Sequence, residues 1–193
     1  LYDSKSGERG IYNGLSAKRT VERINERYRN GDGNYIQRRE SRTDFGTNPC
    51  SEIILRSREF CNLSECIVRR DDTSESLKEK VRIATILGTF QSTLTEFKYI
   101  SREWKRNCDD ERLLGVSLTG IMDSPLTNGT KKGLEKLLQE LRDLAYETNK
   151  EWADKFGIKR SAAITCVKPS GTVSQLVDSA SGIHSRHNPY YIR

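Results

Sequence analysis

Leu113-Leu114-Gly115-Val116-Ser117-Leu118-Thr119-Gly120-Ile121 is an apolar run interrupted by two glycines. Such a run reads as a strand that other backbone approaches closely, because glycine carries no side chain to hold a neighbour away. Before it, Leu77, Val81, Ala84, Ile86, Leu87 and Phe90 recur at helical spacing, in a segment that can extend to about Tyr99. Asp72 with Glu75 three residues later resembles a capping box at its start. After it, residues 131–156 form a long amphipathic pattern closed by Gly157. Residues 161–167 (SAAITCV) then read as a buried strand that runs straight into the turn Lys168-Pro169-Ser170-Gly171-Thr172-Val173-Ser174. Towards the start, Ser16 can cap a surface helix through about Arg29 that sets Val21, Ile24 and Tyr28 on one side. A polar connection over 30–47, with turn signals at Gly31-Asp32-Gly33, leads to two short β-prone stretches, Ile53–Leu55 and Glu65–Arg70. Long helices alternating with short apolar strands predict an α/β fold with mainly parallel pairing.

Composition narrows the function. The 193 residues hold 33 Lys+Arg against 27 Asp+Glu, with 34% hydrophobic and 31% charged residues, which suits one domain or a large piece of a bigger one. No apolar run approaches the roughly 18 residues of a membrane span, and no secretory signal is visible, so a cytoplasmic protein is expected. The five cysteines are odd in number and form no CxxC pair, unlike a disulfide-stapled secreted domain. The chain starts at Leu1 and finishes on the β-prone Tyr190-Tyr191-Ile192-Arg193, so a segment of a longer polypeptide is expected.

Three constellations could carry chemistry. In Asn48-Pro49-Cys50-Ser51-Glu52 a thiol lies two residues from an amide on one side and two from a carboxylate on the other. In an extended loop alternate side chains share a face, and Pro49 biases Asn48 toward extended backbone, so amide, thiol and base would converge. Cys61 follows eleven residues after Cys50 and could face the same cavity if the chain turns back, or could simply be a small core side chain. In Ser170-Gly171-Thr172, hydroxyls and backbone N–H groups could form an anion site, although an ordinary strand-to-helix turn fits as well. A zinc site built from Cys61, Cys66, His184 and His187 is disfavoured by the wide separation of its halves. The basic residues of 18–43 interleave with acids and lack paired aromatics, which argues for a solvated face and against nucleic acid.

In order along the chain, several stretches resemble adenosylcobalamin-dependent, monomeric ribonucleoside-triphosphate reductases. They are Ser6–Asn13, Gly46–Ile53, Glu59–Glu65, Ala84–Thr89 with Gln91–Thr95, Glu111–Asp123 and Lys168–Ser174. The resemblance implies that residues 1–193 are part of a ten-stranded α/β barrel with an internal loop carrying the catalytic cysteine. Cys50 would become a thiyl radical and take the 3′ hydrogen of the ribose. Glu52 would be the base on the 3′ hydroxyl, Asn48 would hydrogen-bond the ribose, and Cys61 would be one half of the redox pair. Ser170, Gly171 and Thr172 would hold the substrate phosphates. Adenosylcobalamin would be the cofactor, a ribonucleoside triphosphate the substrate, a thioredoxin-type protein the reductant, and the enzyme a monomer. Cys61's partner and the effector region would lie before Leu1, and the reductant-facing cysteines after Arg193. Cys66, Cys108 and Cys166 match no catalytic position and are expected to be structural. Two alternatives stay open: the same thiyl chemistry with another radical source, and a non-catalytic nucleotide-binding module.

Overall fold

A computed structural model describes residue 3 and residues 10–28, 36–188 and 190. The Gly31–Gly33 turn and Ser6–Arg9 of the Ser6–Asn13 stretch lie outside the described residues. The framework is a small parallel sheet. Strand β3 (Asn62–Ile67) pairs with β4 (Leu114–Thr119) from Asn62 opposite Leu114 to Ile67 opposite Thr119. Beyond β4, residues 161–167 run alongside it, joined by a parallel bridge between Val116 and Thr165. Two consecutive carbonyls there, Ala163 and Ile164, accept from Leu114 and Val116 of β4. This breaks the pleat: Ile164 faces one side of the sheet, while Ala162 and Cys166 face the other. The α/β class with parallel pairing stands as expected; the predicted third strand is reduced to extended chain with one bridge.

Helices α2 (Ser74–Gln91) and α4 (Leu134–Phe156) cover one face of the sheet. Leu77, Val81 and Ala84 meet Leu137, Leu141 and Ala145 over Leu114, Val116, Cys66 and Ile164. Cys66 and Cys108 are both buried, as structural cysteines should be. The capping box of α2 is Thr73 with Ser76, not Asp72 with Glu75. Asp72 stands one residue too early, and its carboxylate instead accepts from the Arg69 N–H, the Ser76 hydroxyl and Lys80. This helix stops at Gln91, short of Tyr99, where the hydroxyls of Ser92 and Thr93 turn back to the carbonyls of Thr89 and Phe90. Helix α4 runs to Phe156, and Gly157 closes it at φ 65°, the left-handed conformation a glycine adopts freely.

Buried polar groups tie the layers together. Asn149 of α4 donates to the hydroxyls of Thr89 and Ser161, each at 2.9 Å, and accepts from the Ser161 N–H at 3.0 Å. Helix α1 (Gly14–Asn25) is capped by Asn13, whose side chain accepts from Ser16, three residues upstream of the expected cap. It ends at Asn25, whose amide accepts from the N–H groups of Arg38 and Arg39 and donates to the Arg39 carbonyl. Helix α3 (Arg102–Glu111) has no counterpart in the hydrophobic pattern, because what it buries is Asn107, Cys108 and Glu111.

Candidate active site

The face of the sheet opposite the helices carries the candidate chemistry. Strands β1 (Gly46–Thr47) and β2 (Ile54–Leu55) form an antiparallel hairpin whose loop is 48–53. Ile53 packs against Leu113 and Ala162, with Leu55, Cys61, Leu63 and Cys166 beside them. The glycine expected to admit close neighbours does so here: a Cβ on Gly115 would stand 2.4 Å from Leu63 and 3.1 Å from the Cys166 sulfur.

A buried ion network fixes the hairpin to the body. Arg39 donates to the Ile54 carbonyl at 3.0 Å and lies 2.7 Å from Glu111 and 3.6 Å from Glu59. Its guanidinium also covers the Phe45 ring just before β1. Arg56, just after β2, pairs with Glu111 at 3.1 Å, and its N–H donates to Glu59. Burial, then the adjacent charge of Glu111, pushes the Glu59 carboxyl up to about 7.

At the loop tip the chain does not stay extended. The Ser51 N–H donates to the Asn48 carbonyl at 2.9 Å, Ser51 takes φ 62°, and the Asn48 side chain accepts from the Ile53 N–H at 3.0 Å. The alternation expected to align Asn48, Cys50 and Glu52 is therefore replaced by a turn, since a short loop joining two paired strands must reverse direction. Cys50 projects into solvent as a free thiol. Glu52 is half-buried, and its Oε2 is buried without a hydrogen-bond partner.

Cys61 sits immediately before β3, half-buried. Burial pushes its thiol up to about 12, with the Glu52 charge adding to the effect and Lys168 opposing it. Cys166 is likewise pushed up to about 12, first by burial and then by Cys61 and Glu52. Glu52, Cys61 and Cys166 thus share one electrostatic neighbourhood. Cys166, expected to be only structural, belongs to this face.

The phosphate turn divides. Ser170 is buried, and its hydroxyl donates to Glu65 at 2.6 Å and accepts from the Ser174 N–H at 3.2 Å. Thr172 is exposed and Gly171 half-buried, so the accessible part of the turn is Gly171-Thr172. The helix that follows, α5 (Val173–Leu176), is a single turn. Glu65 and Lys168, which the sequence reading passed over, meet at 2.9 Å beside this turn. A signal for Glu65 was present: Cys61, Leu63 and Glu65 alternate along one face of β3.

Among the described residues no group of three or more His, Cys, Asp or Glu could hold a metal ion. Among them, too, no helix is long and apolar enough to cross a membrane.

No family model matches the chain. An adenosylcobalamin-dependent ribonucleoside-triphosphate reductase of Lactobacillus acidophilus is 29% identical, covering 97% of this chain and 27% of the relative. One from Euglena gracilis is 30% identical over 77% of this chain and 20% of the relative. One from Lactobacillus leichmannii is 27% identical over 98% of this chain. The chain therefore spans about a quarter of the length of the curated relatives it matches. A crystal structure of a B12-dependent, class II ribonucleotide reductase superposes with a TM-score of 0.60, at 24% identity, over 83% of this chain and 25% of that one. By sequence over nearly its whole length, and by fold over most of it, the chain is a homologue of part of the adenosylcobalamin-dependent ribonucleotide reductases.

Proposed function

We propose that the chain is part of the catalytic barrel of a cytoplasmic ribonucleoside-triphosphate reductase, which converts ribonucleoside triphosphates to 2′-deoxyribonucleotides. The observation that carries this reading is the hairpin tip. An exposed thiol, Cys50, stands two residues from a half-buried carboxylate, Glu52, that has an unpartnered oxygen, in a loop whose Ile53 packs into the cluster that includes a second thiol, Cys61. The sequence relatives add the reaction class.

The residue types fit the chemistry. As a thiyl radical, Cys50 takes the 3′ hydrogen atom of the ribose. Glu52 takes the proton of the 3′ hydroxyl, so that the 2′ hydroxyl leaves as water. The two thiols of Cys61 and a partner cysteine outside the chain supply two electrons and two protons, one proton completing the departing water and the other going to C2′, and end as a disulfide. Cys50 returns its hydrogen atom to C3′ and Glu52 returns its proton to the 3′ oxygen. A thioredoxin-type protein re-reduces the pair. The Asn48 amide nitrogen is directed to the ribose while its oxygen closes the loop. Gly171 and Thr172, with the basic balance of the chain, receive the triphosphate.

Adenosylcobalamin, when bound, supplies the organic radical that takes the hydrogen atom from a thiol. Cys50 fits that need, because its exposed position at the loop tip lets a bulky cofactor approach. The protein is proposed to act as a monomer.

The test is turnover of a ribonucleoside triphosphate by the full-length protein, with and without adenosylcobalamin, wild type beside Cys50→Ser. Cobalamin-dependent product that disappears in the variant is the expected result. Turnover without cobalamin would assign another radical source. Nucleotide binding without reduction under any cofactor would overturn the enzyme reading.

A further inference from the structure

We propose that Lys168 is a positioning residue of the reductase site, held in place by Glu65 so that its ammonium lays a positive field over Glu52 and Cys50. The assignment rests on the reductase reading and adds to it a group to which the sequence reading gave no role.

The geometry begins in the sheet. Glu65 of β3 stands opposite Ser117 of β4 in the parallel register. The Ser117 hydroxyl accepts from the Lys168 N–H at 2.9 Å, which fixes the Lys168 backbone against the same pair of strands. Lys168 then reaches back, its Nζ 2.9 Å from Glu65 Oε1 and 3.0 Å from the Pro169 carbonyl. The second oxygen of Glu65 takes the Ser170 hydroxyl at 2.6 Å. Both partners of the ion pair are sheltered, with side chains 9% exposed for Glu65 and 23% for Lys168. Such a pair is oriented by several fixed bonds and is less screened than one on an open surface.

Its surroundings say what that orientation does. Glu65 and Lys168 lie two residues beyond Leu63 and Cys166, the side chains that flank Gly115 under Ile53 of the hairpin. Burial pulls the Lys168 ammonium down. The hydrogen bond and charge of Glu65, then the charges of Glu52 and Cys50, outweigh burial and hold the ammonium above its ordinary value. The same cation opposes the upward push on the thiols of Cys61 and Cys166. The buried oxygen of Glu52 has no hydrogen-bond partner, and a fixed positive charge nearby offsets the cost of keeping such an oxygen away from water. A preorganised charge of this kind lowers a barrier without any rearrangement during the reaction.

The test reads the field directly. Full-length protein is alkylated with iodoacetate, an anion, and separately with neutral iodoacetamide, and modification at Cys50 is quantified by peptide mass spectrometry. The iodoacetate-to-iodoacetamide rate ratio should fall about threefold in Lys168→Met, as expected for loss of one partly screened charge nearby, and persist in Lys168→Arg. An unchanged ratio in folded Lys168→Met overturns the proposal. If that variant does not fold, Lys168→Gln, which can still hydrogen-bond Glu65, should show the same fall, and an unchanged ratio there overturns it. In turnover, Lys168→Met should lower kcat more than it raises KM, whereas an effect confined to KM would make Lys168 a phosphate ligand and overturn the positioning role. Because alkylation needs no turnover, failure of the reductase reading would leave the ratio measurement intact.

Discussion

The side-chain oxygen of Asn48 accepts a hydrogen bond from the Ile53 N–H at 3.0 Å, closing the loop that presents Cys50. Under the proposed function this residue has two separable tasks, loop closure through its oxygen and substrate binding through its nitrogen. Asn48→Asp keeps the acceptor and loses the donor. Its melting temperature should stay close to wild type while ribonucleotide turnover falls roughly five- to thirteenfold, since a hydrogen bond of roughly 1–1.5 kcal/mol is lost only to substrate. Asn48→Ala should lose both, and a thermal melt beside an activity assay separates the two.

The Glu59 carboxyl, raised to about 7 from an ordinary value near 4.5, makes stability depend on pH. The folded state binds this proton more tightly than the unfolded chain does. Glu59 therefore favours the fold below about pH 4.5, and that contribution is lost as pH rises through about 7. Glu59→Gln should be nearly neutral at pH 5 and gain stability relative to wild type by pH 8, by on the order of 1–3 kcal/mol. Urea melts at the two pH values check it; a pH-independent difference would count against the assignment.

The two glycines of β4 and its end should differ in their response to alanine. At Gly115 the nearest atom to a new Cβ is the end of the Leu63 side chain, at 2.4 Å, which can shift. At Gly120 it is the Val68 carbonyl oxygen, at 2.6 Å, and the backbone takes φ 75°. Gly115→Ala should cost about 1–3 kcal/mol and be partly relieved by trimming Leu63 to Ala. Gly120→Ala should cost more, with no relief from a side-chain change. Denaturant melts of the three variants decide it.

Ser170 and Thr172, neighbours in one turn, should fail differently. Ser170→Ala leaves Glu65 short of a buried partner and should cost about 1–3 kcal/mol of stability. Thr172→Val changes an exposed position and should raise the KM for nucleotide with little loss of melting temperature. Equal effects on KM without a stability difference would show that the Ser170 hydroxyl turns outward to the phosphates.

Periodicity alone made the α/β layering legible. Leu77, Val81 and Ala84, with Leu137, Leu141 and Ala145, mark the helix faces, and the glycine-broken run at Leu113–Ile121 marks the central strand, because burial of apolar area is written into residue order. The polar core was not legible. Helix α3 buries Asn107 and Glu111, and Arg39 finds Glu111 from a segment 72 positions away, so nothing in the local pattern distinguishes these residues from solvated ones.

The same division holds at the site. The sequence by itself determined which chemistry is present: a thiol, amide and carboxylate at 48–52, a second thiol at 61, and a hydroxyl-rich turn at 170–172. Only the tertiary structure decided that the loop tip curls instead of extending, that the Ser170 hydroxyl is bound to Glu65, that Lys168 pairs with Glu65, and that Cys166 packs beside Ile53 and Cys61. The physical reason is that residue type sets reactivity, whereas field, burial and direction depend on which distant segments meet, here β3, β4 and the chain at 161–170.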